Sequence, residues 1–164
     1  MSDPGDLTDK VRAWWDADAA TYDHSSDHGP GSPAQRAAWN AALHRFLGGQ
    51  GSRVLDVGAG TGFLSLAAAR LGHRVTAVAL SGGMLARLRE HAARDGLEVE
   101  TVEAAAETPP AGPFDAVIER HLLWTLPDPV ARGSFPPTPP APPSLVDERS
   151  FSPVCFDRGL LRRT

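Results

Sequence analysis

The chain has a single cysteine, Cys155, in 164 residues, so it contains no intramolecular disulfide. Its stability must come from packing, and one lone thiol fits a reducing compartment. Lysine is nearly absent too: Lys10 is the sole example, and arginine supplies the other positive charges. Sixteen basic residues against 20 acidic ones leave a formal net charge of −4, so a nucleic-acid backbone is not an expected partner. No apolar run approaches the roughly 20 residues that a membrane span needs. The opening Met1-Ser-Asp-Pro-Gly-Asp6 has no basic stretch followed by an apolar core, so no signal peptide is expected and the reading is cytoplasmic. A chain of this length holds one domain with a real core rather than two.

What is present divides into three stretches: a helical region at 1–50, an α/β region at 51–131 and an irregular proline-rich tail at 132–164. Leu7 to Asp23 reads as a helix with Val11, Trp14, Trp15, Asp18 and Tyr22 near one face. A polar stretch from His24 to Gly31 follows. His24 and His28 are four apart but have no cysteine or acid cluster beside them, so they read as loop residues rather than metal ligands. Ser32-Pro-Ala-Gln35 opens a second helix with a capping serine, a proline at the first turn and a glutamine three residues on. Gly48-Gly49 closes it near Leu47.

From Arg53 the pattern alternates. Strands are expected at Arg53–Val57, His73–Leu80, Leu97–Val102 and Phe114–Ile118, with helices at Phe63–Leu71 and Ser81–Asp95 between them. Strand and helix in alternation, joined by short links, predict a parallel sheet with helices on its faces and right-handed crossovers. After about Ala131 the regularity ends. Six prolines between Pro136 and Pro143 exclude a core helix or central strand there.

The densest motif is Val54-Leu-Asp-Val-Gly-Ala-Gly-Thr-Gly-Phe63, at the point where a strand hands over to a helix. Glycines at such a turn let the backbone reverse tightly and approach a ligand. Helix-start amides there face the open end of the sheet, where ligands of such folds bind. A dinucleotide fingerprint would need its last glycine where Phe63 stands; here the glycine comes one residue earlier, at Gly62. The Asp-x-Gly-x-Gly-x-Gly spacing instead resembles the first motif of class I S-adenosylmethionine-dependent methyltransferases that act on small molecules. The likeness runs from about Trp14 to Ala131. Trp15–Asp23 resembles the family's N-terminal helix, Val75–Leu85 its second strand and next helix, Phe114–Ile118 its fourth strand, and Arg120–Asp128 the segment that reaches the methyl-transfer site.

That resemblance implies a Rossmann-like α/β fold with an N-terminal helical lid and an incomplete C-terminal half. It implies S-adenosylmethionine as cofactor and a small-molecule methyl acceptor as partner. It assigns cofactor contacts to Asp56, Gly58, Gly60 and Gly62, with Tyr22, Leu80, Met84 and Glu107 around them. His121, just after the fourth strand, is the candidate proton acceptor, since imidazole titrates near neutral pH. Glu119 and Arg120 read either as a substrate rim or as a surface pair. Tyr22 and Trp14 read as core more readily than as lid.

The sequence also departs from the family. Where relatives place an acid that grips the ribose hydroxyls, this chain has Ala79; where they place one near the adenine amino group, it has Ala105. Each charged hydrogen bond lost is worth about 1.5–3 kcal/mol. No later strand is legible, so the fourth strand is expected to present an open edge suited to self-association, and methyl transfer by this chain is expected to be impaired. Two other readings stand beside this one: a degenerate, non-catalytic cofactor-binding or interaction module, and an NAD(P)-dependent oxidoreductase. Phe63 and the missing ribose acid argue against the second.

Overall fold

A computed structural model describes residues 4–25, 28, 32–122 and 156–157. Its elements are α1 (Pro4–Asp18), α2 (Pro33–Leu47), β1 (Arg53–Val57), α3 (Phe63–Arg70), β2 (Arg74–Ala79), α4 (Gly82–Arg94), β3 (Glu100–Glu103), β4 (Ala116–Glu119) and β5 (Phe156–Asp157). The sheet order is β3-β2-β1-β4-β5. Strands β1 to β4 are parallel, and β1, which bears the glycine-rich turn, lies in the middle of the sheet.

Local chemistry accounts for most of the element boundaries. Ser32 and Gln35 form a reciprocal capping box at the start of α2, with Pro33 at its first position. The first helix stops earlier than its periodicity predicts. Thr21 folds back to the Asp18 carbonyl, and Tyr22–His24 continue as a short 3-10 turn. Strand β3 begins three residues later than expected, because the Leu97 amide bonds to the Ala92 carbonyl and belongs to the end of α4. Pairing with β2 starts only at Glu100, opposite Thr76.

The two faces of the sheet differ. Val54, Val75, Ala116 and Ile118 share one face with Trp39, Leu43 and Leu47 of α2 and Leu64, Ala67 and Ala68 of α3, all buried. Ala77 and Ala79 continue that face under Leu85 and Leu88 of α4. Among the described residues, the opposite face carries Leu55, Val57 and Val78 and is covered by connecting segments around Ala104, Ala106, Phe114 and Leu122 rather than by a helix.

The expected open edge of β4 is corrected. Asp157 and Phe156 pair antiparallel with Val117 and Ile118, so part of that edge has a backbone partner from the C-terminal stretch. The proline cluster, the family-like segment beyond Leu122 and the rest of the tail lie outside the described residues.

Gly62 shows how tightly the sheet and helices are fitted together. Its φ is +97°, and a Cβ built on it would lie 2.6 Å from Cγ of Leu88 in the adjacent helix α4. Gly62→Ala is therefore expected to combine left-handed strain with overpacking and to lower stability by about 2–4 kcal/mol in urea unfolding. An unchanged unfolding midpoint would mean that α4 moves aside at no cost.

Candidate functional site at the glycine turn

The chain must reverse between Val57 and Phe63, and the turn is closed by one internal bond and anchored to two other segments. The Ala59 amide bonds to the Val78 carbonyl of β2, the Gly62 amide to the Ala59 carbonyl, and the Thr61 hydroxyl donates to Asp23 just after α1. The turn opens onto a cavity of about 230 Å³ at the carboxyl end of the strands. That volume is a little below the range usual for sites enclosing a whole drug-sized ligand. Gly58 and Gly60 form its floor. A Cβ on Gly58, where φ is +73°, would stand 2.8 Å from Cδ1 of Leu122 on the adjoining wall, so side chains larger than hydrogen close this gap.

One end of the cavity is bounded by Ala79, Leu80, Ser81 and Met84, and by Ala104 to Glu107. The roof is α1, from which Leu7, Val11, Trp14, Trp15 and Asp18 face inward together with Tyr22. The face read from the helical period is thus the face that covers the site. Trp14 is 61% exposed, so the core reading of that residue is corrected: it belongs to the roof. From Trp14 a line of ring contacts runs through Trp15 (4.5 Å) and Tyr22 (5.9 Å) to His28, stacked on Tyr22 at 4.1 Å, and on to His121 at 5.8 Å. His28 is accordingly half-buried against Tyr22 and not a solvent-facing loop residue. Among the described residues no group of three His, Cys, Asp or Glu side chains is placed to hold a metal.

Sequence reasoning did not find what holds the roof down. Asp16 of α1 accepts hydrogen bonds from the Ser81 hydroxyl and the Gly83 amide at the start of α4, the latter at 3.0 Å. The Ser81 hydroxyl in turn caps α4 by accepting from the Met84 amide. These donors hold the Asp16 carboxyl below its ordinary range. A carboxylate at a helix N-terminus has a physical reason to be there, but Asp16 comes from 65 residues upstream and gave no sequence signal.

The predicted site residues separate into two groups. Tyr22, Gly58, Gly60, Leu80, Met84, Glu107 and His121 all line the cavity. Asp56 and Gly62 do not. Gly62 sits behind the turn against Leu88. Asp56 is 2% exposed and accepts a 2.6 Å hydrogen bond from Ser65 of α3, tying β1 to the helix beneath the turn. Asp56 borders a smaller recess of about 20 Å³ instead, together with Ala59, Thr61 and Phe63. The recess shares Tyr22, His28, Gly58, Arg120 and His121 with the main cavity. Burial pushes the Asp56 carboxyl up to about 7, against the opposing pull of Ser65.

His121 takes a left-handed backbone conformation, φ +64°, which turns the chain out of β4 and places its ring at both cavities. Glu119 is 4% exposed and accepts from the Leu122 amide at 3.1 Å, so it is no member of a surface pair. Arg120 lies with its guanidinium carbon 4.1 Å over the Phe63 ring and 5.6 Å from the Trp39 ring.

With this geometry in place, comparison with known proteins is decisive for the family. A family profile described as a methyltransferase domain matches residues 54–135, half of the chain. The chain belongs to the methyltransferase-domain family. The domain is similar to a ubiquinone biosynthesis O-methyltransferase of Xanthomonas axonopodis pv. citri, 37% identical over 127 residues, covering 72% of this chain and 47% of that protein. It is likewise similar to the enzyme of that name from Xylella fastidiosa, 35% identical over 126 residues with 72% and 46% covered. The methyltransferase domain thus spans about half the length of these curated relatives. Among solved structures, a DhpI–SAM–HEP complex matches with a TM-score of 0.56 and 28% identity over 78% of this chain and 56% of that one. Magnesium protoporphyrin IX methyltransferase from Synechocystis PCC 6803 shares the fold, with a TM-score of 0.60 and 18% identity over 73% and 64%.

The protonation of Asp56 makes a stability prediction. A carboxyl whose folded pKa is raised to about 7 disfavours folding increasingly as pH climbs from about 4, and by a constant amount above about 7. Asp56→Asn, which cannot ionise, is expected to gain on the parent by roughly 2–4 kcal/mol across that window, on top of any pH-independent difference. Denaturant midpoints of the two proteins recorded from pH 4 to pH 8 provide the check. Parallel curves would show that Asp56 ionises at its ordinary pH.

Proposed function

We propose that the methyltransferase domain binds S-adenosylmethionine in the cavity at the glycine turn and transfers its methyl group to a hydroxyl of a small-molecule acceptor. The observation that carries this reading is the cavity itself: a floor of Gly58 and Gly60 at the end of the central strand, with Leu80 and Met84 at one end and an aromatic roof above. The family, the O-methyltransferase relatives and the S-adenosylmethionine-containing structural neighbour support the same ligand and the same reaction. A nicotinamide reading has no comparable support.

The residues suit the cofactor at most points. Leu80 and Met84 offer apolar surface to a purine, and Glu107 borders the same end with a carboxylate able to accept from an amino or hydroxyl group. Gly58 and Gly60 leave space for a ligand chain close to the backbone. The misfit is at the ribose and adenine-amino positions. Ala79 and Ala105 both line the cavity, so the two missing acids are missing from the site itself. Glu103, the register partner of Ala79, does not replace them, since it lies beside Gly82 and Arg12 rather than on the cavity wall.

When bound, the cofactor supplies a methyl carbon on a positively charged sulfur, an electrophile that needs no activation. The chain's task is alignment and proton removal. Trp14 and Trp15 of α1 and Tyr22 of the turn after it cover the site and keep water from the reacting centre. His121, at the rim of both cavities, accepts the proton that the acceptor hydroxyl loses as its oxygen takes the methyl group.

Calorimetric titration with S-adenosylmethionine and with NAD is the direct test. Binding of the first and none of the second is expected, and the reverse outcome defeats the proposal. In the same assay Ala79→Asp is expected to tighten cofactor binding by about 1–3 kcal/mol, through hydrogen bonds from the ribose hydroxyls to the new carboxylate. An unchanged dissociation constant in a folded variant would place the ribose elsewhere.

His121 is tested with His121→Asn, because asparagine tolerates the left-handed backbone and accepts no proton. A loss of about 10²–10⁴ in kcat with cofactor affinity retained is the expected result. Cofactor binding with no methyl transfer to any hydroxyl acceptor would favour instead a binding module without catalysis, in keeping with Ala79 and Ala105.

A further inference from the structure

Three residues that do not line the main cavity join its roof to its floor. Asp23 directly follows Tyr22, and its carboxylate is shared between two segments. One oxygen accepts from the Thr61 hydroxyl of the glycine turn at 2.6 Å; the other lies 3.6 Å from Nε2 of His91 in the last turn of α4. Nδ1 of the same ring lies 3.3 Å from the Thr61 carbonyl oxygen. The contacts close a ring, from turn to roof, from roof to α4 and from α4 back to the turn. Thr61 is buried, and the side chains of His91 and Asp23 are only 21% and 29% exposed, so salt screens this pair less than a surface one.

Both ring nitrogens of His91 therefore face oxygens. A carbonyl only accepts, and so does an ionised carboxylate. A neutral imidazole has one N–H, so it serves one of the two and turns a lone pair toward the other. The imidazolium, with two N–H groups, suits both. Its place in the last turn of α4 favours the same form, because the C-terminal end of a helix attracts a cation. The other charged groups around α4 are engaged elsewhere. On α4 itself Arg87 pairs with Glu90 and donates to the Ala20 carbonyl, while Arg94 and Arg70 of α3 both meet Asp95. Asp16 of α1 is bonded to Ser81 and Gly83 at the opposite end of the helix, and Asp18 to Thr21. On the β3 side Arg89 donates to Thr101, Glu100 accepts from Thr76 and Glu103 lies beside Gly82. Asp23 is the carboxylate that His91 meets. Tyr22, the residue before it, stands over the cavity floor, its Cε1 3.8 Å from where a Cβ on Gly60 would lie.

We propose that His91 is a positioning residue for the roof: protonated, it locks Asp23 against the glycine turn and keeps Tyr22 over the cavity, and neutral, it frees that corner and lets a ligand leave sooner. Closing takes up a proton, so the latch strengthens as pH falls and weakens as pH rises. The latch itself rests on the side-chain geometry; its effect on a ligand rests on the reading of the cavity as the S-adenosylmethionine site.

The first measurement needs no ligand. Amide hydrogen exchange of α1 and the turn after it is followed on the intact chain at pH 5.5 and pH 8, which bracket the range where imidazoles change charge, and expressed as protection factors. In the parent, protection is expected to be about 3- to 10-fold higher at pH 5.5 than at pH 8, the size of a partly buried ion pair. His91→Leu is expected to show the lower protection at both pH values. His91→Gln, whose amide donates to Asp23 at any pH, is expected to lose the pH dependence while protecting the roof better than His91→Leu. His28 and Asp56 are unchanged in these variants, so the difference from the parent isolates His91. Fold loss in His91→Leu would expose β1 and β2 as well, and the comparison of the parent with His91→Gln then decides. The second measurement is the rate at which bound S-adenosylmethionine is displaced in stopped flow, expected to be about 3- to 10-fold faster at pH 8 in the parent and to lose that dependence in His91→Leu. A pH ratio of protection that is the same in the parent and His91→Gln overturns the latch. A displacement ratio that is the same in the parent and His91→Leu overturns its control of the ligand. If S-adenosylmethionine does not bind at all, the cavity reading falls, and the exchange measurement alone decides the latch.

Discussion

The reversal of the chain between Val57 and Phe63 constrains everything else at this site. Five residues must carry the backbone from the central strand into α3 without leaving side chains over the opening. Three of them, Gly58, Gly60 and Gly62, have positive φ. They serve different ends. Gly58 and Gly60 form the floor of the cavity, whereas Gly62 admits Leu88 of α4 against the back of the turn. The turn is held from below by the buried pair Asp56–Ser65 and from the side by the bond between Ala59 and Val78. A motif that reads as one ligand-binding device is, in the folded chain, part cavity floor and part helix packing.

The roof depends on the same turn. Thr61 donates to Asp23, whose carboxylate also lies 3.6 Å from His91 of α4, and Asp16 bonds to the first residues of that helix. Helix α1 is therefore tied to α4 directly and, through the short turn that follows it, to the glycine turn. Most of its inward side chains are apolar or aromatic, so the roof covers a ligand without supplying many polar contacts. The charged and imidazole side chains on the cavity lining are Asp18 at the end of the roof and Glu107, Arg120, His28 and His121 from other segments. Ala79 and Ala105 add only methyl groups to the same lining.

The chain's own sequence made much of this legible. The order and type of the elements from α2 to β4 follow from short-range features: the Ser32–Gln35 capping box, glycine stops, and apolar periods that change from helical to extended. The inward face of α1 was legible for the same reason, because Val11, Trp14, Trp15, Asp18 and Tyr22 recur at helical spacing. The ends of β3 and β4 were less legible. A strand begins where its partner's register allows, and register is a property of two chain segments.

Local pattern, then, determined the α/β class, the glycine turn and the residues that one helix or strand can present together. Only the tertiary structure decided where individual side chains point once segments meet. Asp56 turns under the loop to Ser65 because a carboxyl on that face of β1 meets α3 and not the cavity. Asp16 becomes the cap of a helix 65 residues away. Arg120 stacks on Phe63 because β4 is the neighbour of β1 in the sheet, although 57 residues separate the two side chains in sequence. The Val117–Ile118 edge is met by Phe156 and Asp157 from a stretch with no strand period. Each of these contacts joins segments far apart in the chain, and spacing along a sequence carries information only about neighbours within one element.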